Sequence, residues 1–140
     1  MFRKVTIPII LFVIFFTVPL TAGTSEKEKA AILSAEKWLG LVDAQKYPES
    51  WKEAAEFFRN AISQEQWGQS LQTARKPLGK RITRKVRTKT YRTSLPGAPD
   101  GEYVVIEFET SFAQKKSAIE TVTPMIDKDG TWRVSGYYIR

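Results

Sequence analysis

The 140-residue sequence predicts an α+β fold in which helices come first and a four-stranded antiparallel meander follows. Three observations carry that prediction. Apolar residues recur with a helical period up to about residue 78, and capping signatures punctuate that half. Beyond Gly79 the period changes from 3.6 to 2, and turn-forming clusters separate four β-rich runs.

The chain opens MFRKVTIPIILFVIFFTVPLTAG. A short basic start (Arg3, Lys4), an apolar run from Val5 to Leu20 and small residues at Thr21, Ala22 and Gly23 form the layout of a secretory signal peptide. The run falls short of the ~18 residues of a spanning helix, and Pro8 interrupts it, so an uncleaved anchor is the weaker reading. Cleavage is expected after Gly23, or after Ala22. Residues 1–23 are then the signal peptide and 24–140 one domain. A lipoprotein signal requires a cysteine, and the chain has none. The expected location is the periplasm or the exterior. Without Arg3 and Lys4, 20 basic residues face 15 acids, a net charge of +5, below the density of a dedicated nucleic-acid binder.

Ser25-Glu-Lys-Glu28 reads as a capping box opening the first helix, with Ala31, Ala35, Trp38, Leu39 and Val42 on its inner face. This helix is expected to end near Asp43, broken by Ala44-Gln-Lys-Tyr-Pro48, since proline disfavours helix in the residue before it. A second box, Ser50 to Glu53, predicts a helix burying Trp51, Ala54, Ala55, Phe58 and Ile62. A third, Ser63 to Gln66, predicts one burying Trp67, Leu71 and Ala74. The strands are expected over 80–94, 102–112, 117–126 and 131–139.

The first strand contains KRITRKVRTKTYRT, seven Lys or Arg in fourteen positions without an acid. A hairpin with Ser94 opposite Glu102 places Lys89, Arg87 and Lys85 across from Glu107, Glu109 and Ser111. The opposite face then pairs Val86, Thr88 and Thr90 with Thr110, Phe108 and Ile106. Most of the basic run is then one outer sheet face, partly neutralised by its neighbour. Arg81, Arg84 and Arg92 lack an evident partner and are the candidates for contact with an anionic envelope surface.

Zero histidines and zero cysteines exclude serine–histidine triads, cysteine nucleophiles and nitrogen–sulfur zinc sites. No glycine-rich loop precedes a helix, and Ser34-Ala-Glu-Lys37 is an isolated Ser-x-x-Lys match. No cofactor or metal is expected. Asp43 and Glu120 are the acids that can point into a cavity, with Tyr91, Tyr137 and Tyr138 as aromatic and hydroxyl lining.

The blocks AEKWLGLVDAQKYPESWKEAAEFF, ARKPLGKR, LPGAPDGEYVVIEFETSF, AIETVTPMID and DGTWRVSGYYI, in that order, resemble the bacterial family catalogued as domain of unknown function 4019. That resemblance implies a small exported protein without an established activity. DGTWRVSGYYI also resembles the last strand of nuclear transport factor 2-like domains, although their Gly-Asp pair after the first helix is here Gln45-Lys46. This likeness implies three helices packed on a curved four-stranded sheet, a nuclear transport factor 2-like or cystatin-like cone. The expected function is therefore a non-enzymatic binding module for a small molecule, peptide or envelope component. Nucleic acid and a permanent membrane anchor are not expected, and a homodimer through the sheet is a further expected partner. The alternative is a cavity enzyme of the cone fold, with Asp43 or Glu120 as proton acceptor and Tyr137 or Tyr138 as hydrogen-bond donor.

Overall fold

The structure, a computed structural model, describes residues 21–140. The signal sequence expected over residues 1–23 lies outside them except for its last three positions, which are helical. Helix α1 spans Thr21–Asp43, α2 Tyr47–Lys52, α3 Glu56–Ala61 and α4 Gln64–Arg75, and a single 3₁₀ turn covers Lys76–Leu78. Strands β1 (Arg81–Arg92), β2 (Tyr103–Phe112), β3 (Lys115–Ile126) and β4 (Trp132–Ile139) form one antiparallel sheet in sequence order. Among the described residues no helix is long and apolar enough to cross a membrane.

Helix α1 lies across the sheet and buries the predicted stripe of Ala31, Ala35, Trp38, Leu39 and Val42. Its start differs from expectation. The helix already runs through Ser25, so carbonyls of Thr21–Thr24 are available to the amides that the Ser25 box would have satisfied. Its end is a Schellman turn, with Lys46 N–H donating to Leu41 O (2.9 Å) and Gln45 N–H to Val42 O (3.0 Å). Gln45 takes the left-handed φ of 60° that this turn demands, a place where glycine is at ease.

The single second helix predicted from Ser50 is instead two short ones. Pro48 sits in the first turn of α2, where its missing N–H costs nothing, so the proline starts a helix here. Ser50 therefore falls inside α2 and is fully buried. It serves two indoles: its carbonyl accepts from Trp38 Nε1 (2.8 Å) and its hydroxyl from Trp67 Nε1 (2.9 Å), while that hydroxyl donates to Tyr47 O (2.7 Å). Trp51 is half-buried and donates to Ile62 O (2.8 Å). Helix α3 has an alanine at its N-cap, and the missing acceptor comes from the β3–β4 turn, where Asp127 Oδ2 accepts from Glu56 N–H (3.1 Å). The Ser63–Gln66 box forms as predicted, both bonds at 3.1 Å.

Trp38, Trp67, Phe58 and Tyr137 stack edge-to-face or tilted, with ring centroids 4.9–6.3 Å apart, between the helices and the sheet. In β2, Val104, Ile106, Phe108, Thr110 and Phe112 face this core, as the alternation predicts.

None of the predicted β1–β2 pairs forms: over Thr83–Val86 the strands are slipped by two residues from the expected register, which keeps the predicted faces but not the partners. Lys85 pairs with Glu109 and Val86 with Phe108, but a bulge at Arg87 shifts the remainder, so Thr88 meets Glu107 and Lys89 meets Ile106. Lys85 and Arg87 keep the outer face, bridging Glu109 (3.3 Å) and Glu107 (3.6 Å). Lys89 is carried to the helix side, where Glu28 of α1 lies 3.8 Å away. The extra residue also turns Tyr91 inward against the core.

Two stability outcomes follow from this geometry. Trp38→Ala empties a site at the centre of the aromatic cluster and removes the donor to Ser50, so denaturant melts should show a loss of about 3–5 kcal/mol. Gln45→Gly relieves a left-handed side chain at an exposed helix end and should raise stability by about 0.5–1 kcal/mol.

Candidate functional site

The interior beyond the aromatic cluster is ionic. The last turn of α1 supplies Asp43, the last turn of α4 Arg75, β1 Arg81 and Arg84, β2 Thr110, β3 Glu120 and β4 Tyr137. Glu120 is fully buried, on the inner face of β3 between Ala118 and Val122 where the alternation calls for an apolar residue. Its Oε1 accepts from Arg84 Nε (2.7 Å) and Thr110 Oγ1 (2.6 Å), and its Oε2 accepts a short bond from the Tyr137 hydroxyl.

Arg84 spans the two acids. Its two terminal nitrogens grip Asp43 in a bidentate pair (2.7 and 2.9 Å) while Nε holds Glu120. Asp43 also accepts from Arg75 (2.9 Å) and from Arg81 Nε (3.1 Å). Arg75, only 6% exposed, lies over the Phe112 ring at 4.7 Å, and its Nη1 approaches Glu120 Oε2 at 4.0 Å. Nε and Nη1 of Arg75 have no hydrogen-bond partner among the described residues. The two best-buried cations thus face two anions, and the half-exposed Arg81 adds a third positive charge.

These environments perturb the groups unequally. Burial alone would raise the Asp43 carboxyl, but hydrogen bonds from Arg84 and Arg75 outweigh it and hold the group below its usual range. Burial, then the negative charge of Glu120, pushes the Tyr137 phenol far up, so it remains a donor at any physiological pH. Arg84 loses solvation yet gains more from its two acids, and its guanidinium is held charged.

The structure brings together Asp43, Glu120 and Tyr137 of the sequence candidates, joined by Arg84 and Arg81. The two arginines read as lacking partners are spent on interior acids. Arg92 is exposed and forms no ion pair among the described residues. Tyr91 belongs elsewhere: its hydroxyl donates to Glu102 (2.9 Å), and Lys27, 2.5 Å from Glu102, sits over its ring. Tyr138 projects from the uncovered sheet face, 58% exposed. Arg75, Thr110 and Ser50 were not anticipated. For Arg75 the signal was present, because Trp67, Leu71 and residue 75 follow one another at i, i+4 and i+8. The reading placed Ala74 inward, and the structure leaves Ala74 exposed.

Two clefts flank the ionic cluster. One, about 250 Å³, lies between α1 and β1 and is bordered by Asp43, Arg81, Arg84 and Phe108. The other, about 470 Å³, lies between α4 and β4. Its walls include Trp67, Leu71, Leu78, Tyr137 and Ile139, with Lys115 and Arg140 at its margin. Among the described residues no group of three or more acids could hold a metal ion.

The sequence model of the family described as "Protein of unknown function (DUF4019)" matches residues 34–137. The chain belongs to this family. The matched span contains Asp43, Arg75, Arg81, Arg84, Thr110, Glu120 and Tyr137, hence the whole of the ionic cluster. No curated protein and no solved structure matches the chain.

The cluster makes two energetic predictions. Glu120→Gln leaves Arg84 and Arg75 short of an anion in a buried site and should cost about 3–5 kcal/mol. Asp43 has a folded-state pKa below its unfolded value of ~3.9, so its contribution is present above about pH 4 and disappears as pH falls through the lower value. The stability gap between wild type and Asp43→Asn should therefore be wide at neutral pH and close in acid. A gap that stays constant to about pH 2 would show that Asp43 is not held as described.

Proposed function

We propose that the chain is an exported, non-enzymatic binding module that takes a ligand with an apolar body and an anionic group in the cleft between α4 and β4. The observation that carries this reading is the pairing of that cleft's apolar walls with Lys115, a half-buried cation without an ion pair among the described residues. Arg140 adds a second positive charge at the margin, shared with Glu107 at 3.0 Å. Export rests on the basic start, apolar run and small residues of positions 1–23. The cone-like, nuclear transport factor 2-like reading of the fold is supported at Gln45, which adopts the left-handed turn at the place of the glycine in those domains.

The alternative, a proton-transferring cavity enzyme, has one observation in its favour: a buried carboxylate bonded to a tyrosine. Against it, Glu120 has no exposed surface and both of its oxygens are bonded by Arg84, Thr110 and Tyr137. A general base needs a free lone pair within reach of substrate. Asp43 is likewise enclosed by three arginines.

The test uses anilinonaphthalene sulfonate, an aromatic body with one anionic group. It should bind the folded protein saturably, quench Trp67 and raise the melting temperature, as a ligand of the native state does. Ala74→Trp, which fills the cleft from an exposed helix position, should weaken binding at least about ten-fold, or 1.4 kcal/mol. Absence of saturable binding, or binding indifferent to Ala74→Trp, would overturn the reading.

A further inference from the structure

The two edges of the sheet are built differently. At the β1 edge the strand carries seven Lys or Arg with its preceding residue and a bulge at Arg87, both devices that discourage pairing with another strand. The β4 strand carries a single basic residue, Arg133, and its bulge, at Ser135, lies before the stretch Gly136–Ile139, which pairs with β3 in unbroken register. Only its first half is covered, with Val134 O accepting from Ala55 N–H (2.8 Å) and Trp132 O from the Ser34 hydroxyl (2.7 Å).

The direction of the remaining backbone groups follows from the β3–β4 ladder. Ile119 and Arg140 exchange both backbone bonds (2.9 and 3.0 Å), so their pair is a hydrogen-bonded one. Alternation along an antiparallel ladder then makes Thr121–Tyr138 bonded, and Val122–Tyr137 and Glu120–Ile139 non-bonded. The N–H and C=O groups of Tyr137 and Ile139 consequently point away from the sheet. No described residue bonds them. The side chains of the same two residues form one wall of the 470 Å³ cleft, and Trp67, Leu71 and Leu78 form the other.

An open strand edge beside an apolar cleft is the arrangement that binds extended peptides by strand addition: backbone bonds supply affinity, and alternate side chains enter the cleft. We propose that the ligand of this module is an extended peptide segment that adds to β4 as a fifth strand, with apolar side chains at alternate positions and a carboxylate toward Lys115 and Arg140. Charge complementarity selects the acidic peptide, because no acid is among the described residues that line the cleft beside Lys115 and Arg140. This rests on the binding reading above and specifies its occupant.

The test titrates fluorescein-labelled peptides of about eight residues, with Val, Ile or Phe at alternate positions and Glu between them. Backbone amides are methylated on one parity or on the other. An added strand offers only every second amide to β4, so methylation of one parity should weaken binding at least about ten-fold and methylation of the other should leave it unchanged. Amide exchange at Tyr137 and Ile139 should slow with peptide bound, while Tyr138, already bonded to β3, should not change. Lys115→Glu should weaken the acidic peptides and leave the melting temperature in place. Equal tolerance of both methylation patterns, or no protection at Tyr137 and Ile139, overturns strand addition. If the sulfonate dye binds and no peptide does, the binding reading survives and this one fails. A dimer that Ile139→Pro dissociates would also overturn it, assigning the edge to a second copy.

Discussion

One side chain ties the two halves of this fold together. Strand β1 is an edge strand with little buried surface of its own, and α1 meets it over only part of its length. Arg84 compensates by reaching inward from β1 to Asp43 at the end of α1 and to Glu120 on β3. Three elements distant in sequence are thereby fixed at one point. Burying these charges is expensive, and the cost is tolerable only because each anion is bonded by several donors. Such a cluster contributes more to arrangement than to net stability: an apolar substitute of equal volume would fill the space without dictating where β1 must lie.

This resolves the meaning of the basic run. Its residues serve three different purposes, which a list of charges does not distinguish. Arg81 and Arg84 face inward and neutralise interior acids. Lys85 and Arg87 cross the outer face to Glu109 and Glu107, pairs that in water contribute at most about 1 kcal/mol each. Lys89 is turned to α1 by the bulge, and Arg92 projects from the strand end. A polyanion would thus meet a strand whose charge is largely committed to acids of the same chain.

The helix stripes, the Ser63 box and the β2 alternation were legible because each depends on local periodicity and local bonds. For β1 the facing of residues was legible only between Thr83 and Val86, and the pairing itself lies two residues from the expected one. A bulge adds one residue without leaving a composition signature, and every residue beyond it changes face. Ser50 misled for a related reason: Ser-x-x-Glu is a cap when the preceding chain is irregular, and Pro48 had already begun the helix. Within the site, Asp43 and Glu120 could be singled out as acids near apolar positions. Their shared partner Arg84 could not be found without a register, and Arg75 required preferring i+8 to i+7 on α4 by a single position.

Tyr137 is where the two kinds of interior meet. Its ring packs edge-on against Trp38 and Trp67, at 5.3 and 6.3 Å, and so completes the aromatic cluster. Its hydroxyl ends on Glu120 and closes the ionic one. The same residue lines the larger cleft and presents its backbone at the open edge of β4. A phenylalanine there would retain the packing and leave Glu120 Oε2 without its hydroxyl donor. Tyrosine is suited to this position because it has an apolar body and a polar tip. It also couples the groups in one direction. Anything seated in the cleft touches the ring and backbone of Tyr137, while the carboxylate behind it stays dry, bonded and out of reach. The cleft can accept a ligand without exposing the buried charges that fix the sheet, and for that reason binding at the surface is compatible with an ionic interior directly beneath it.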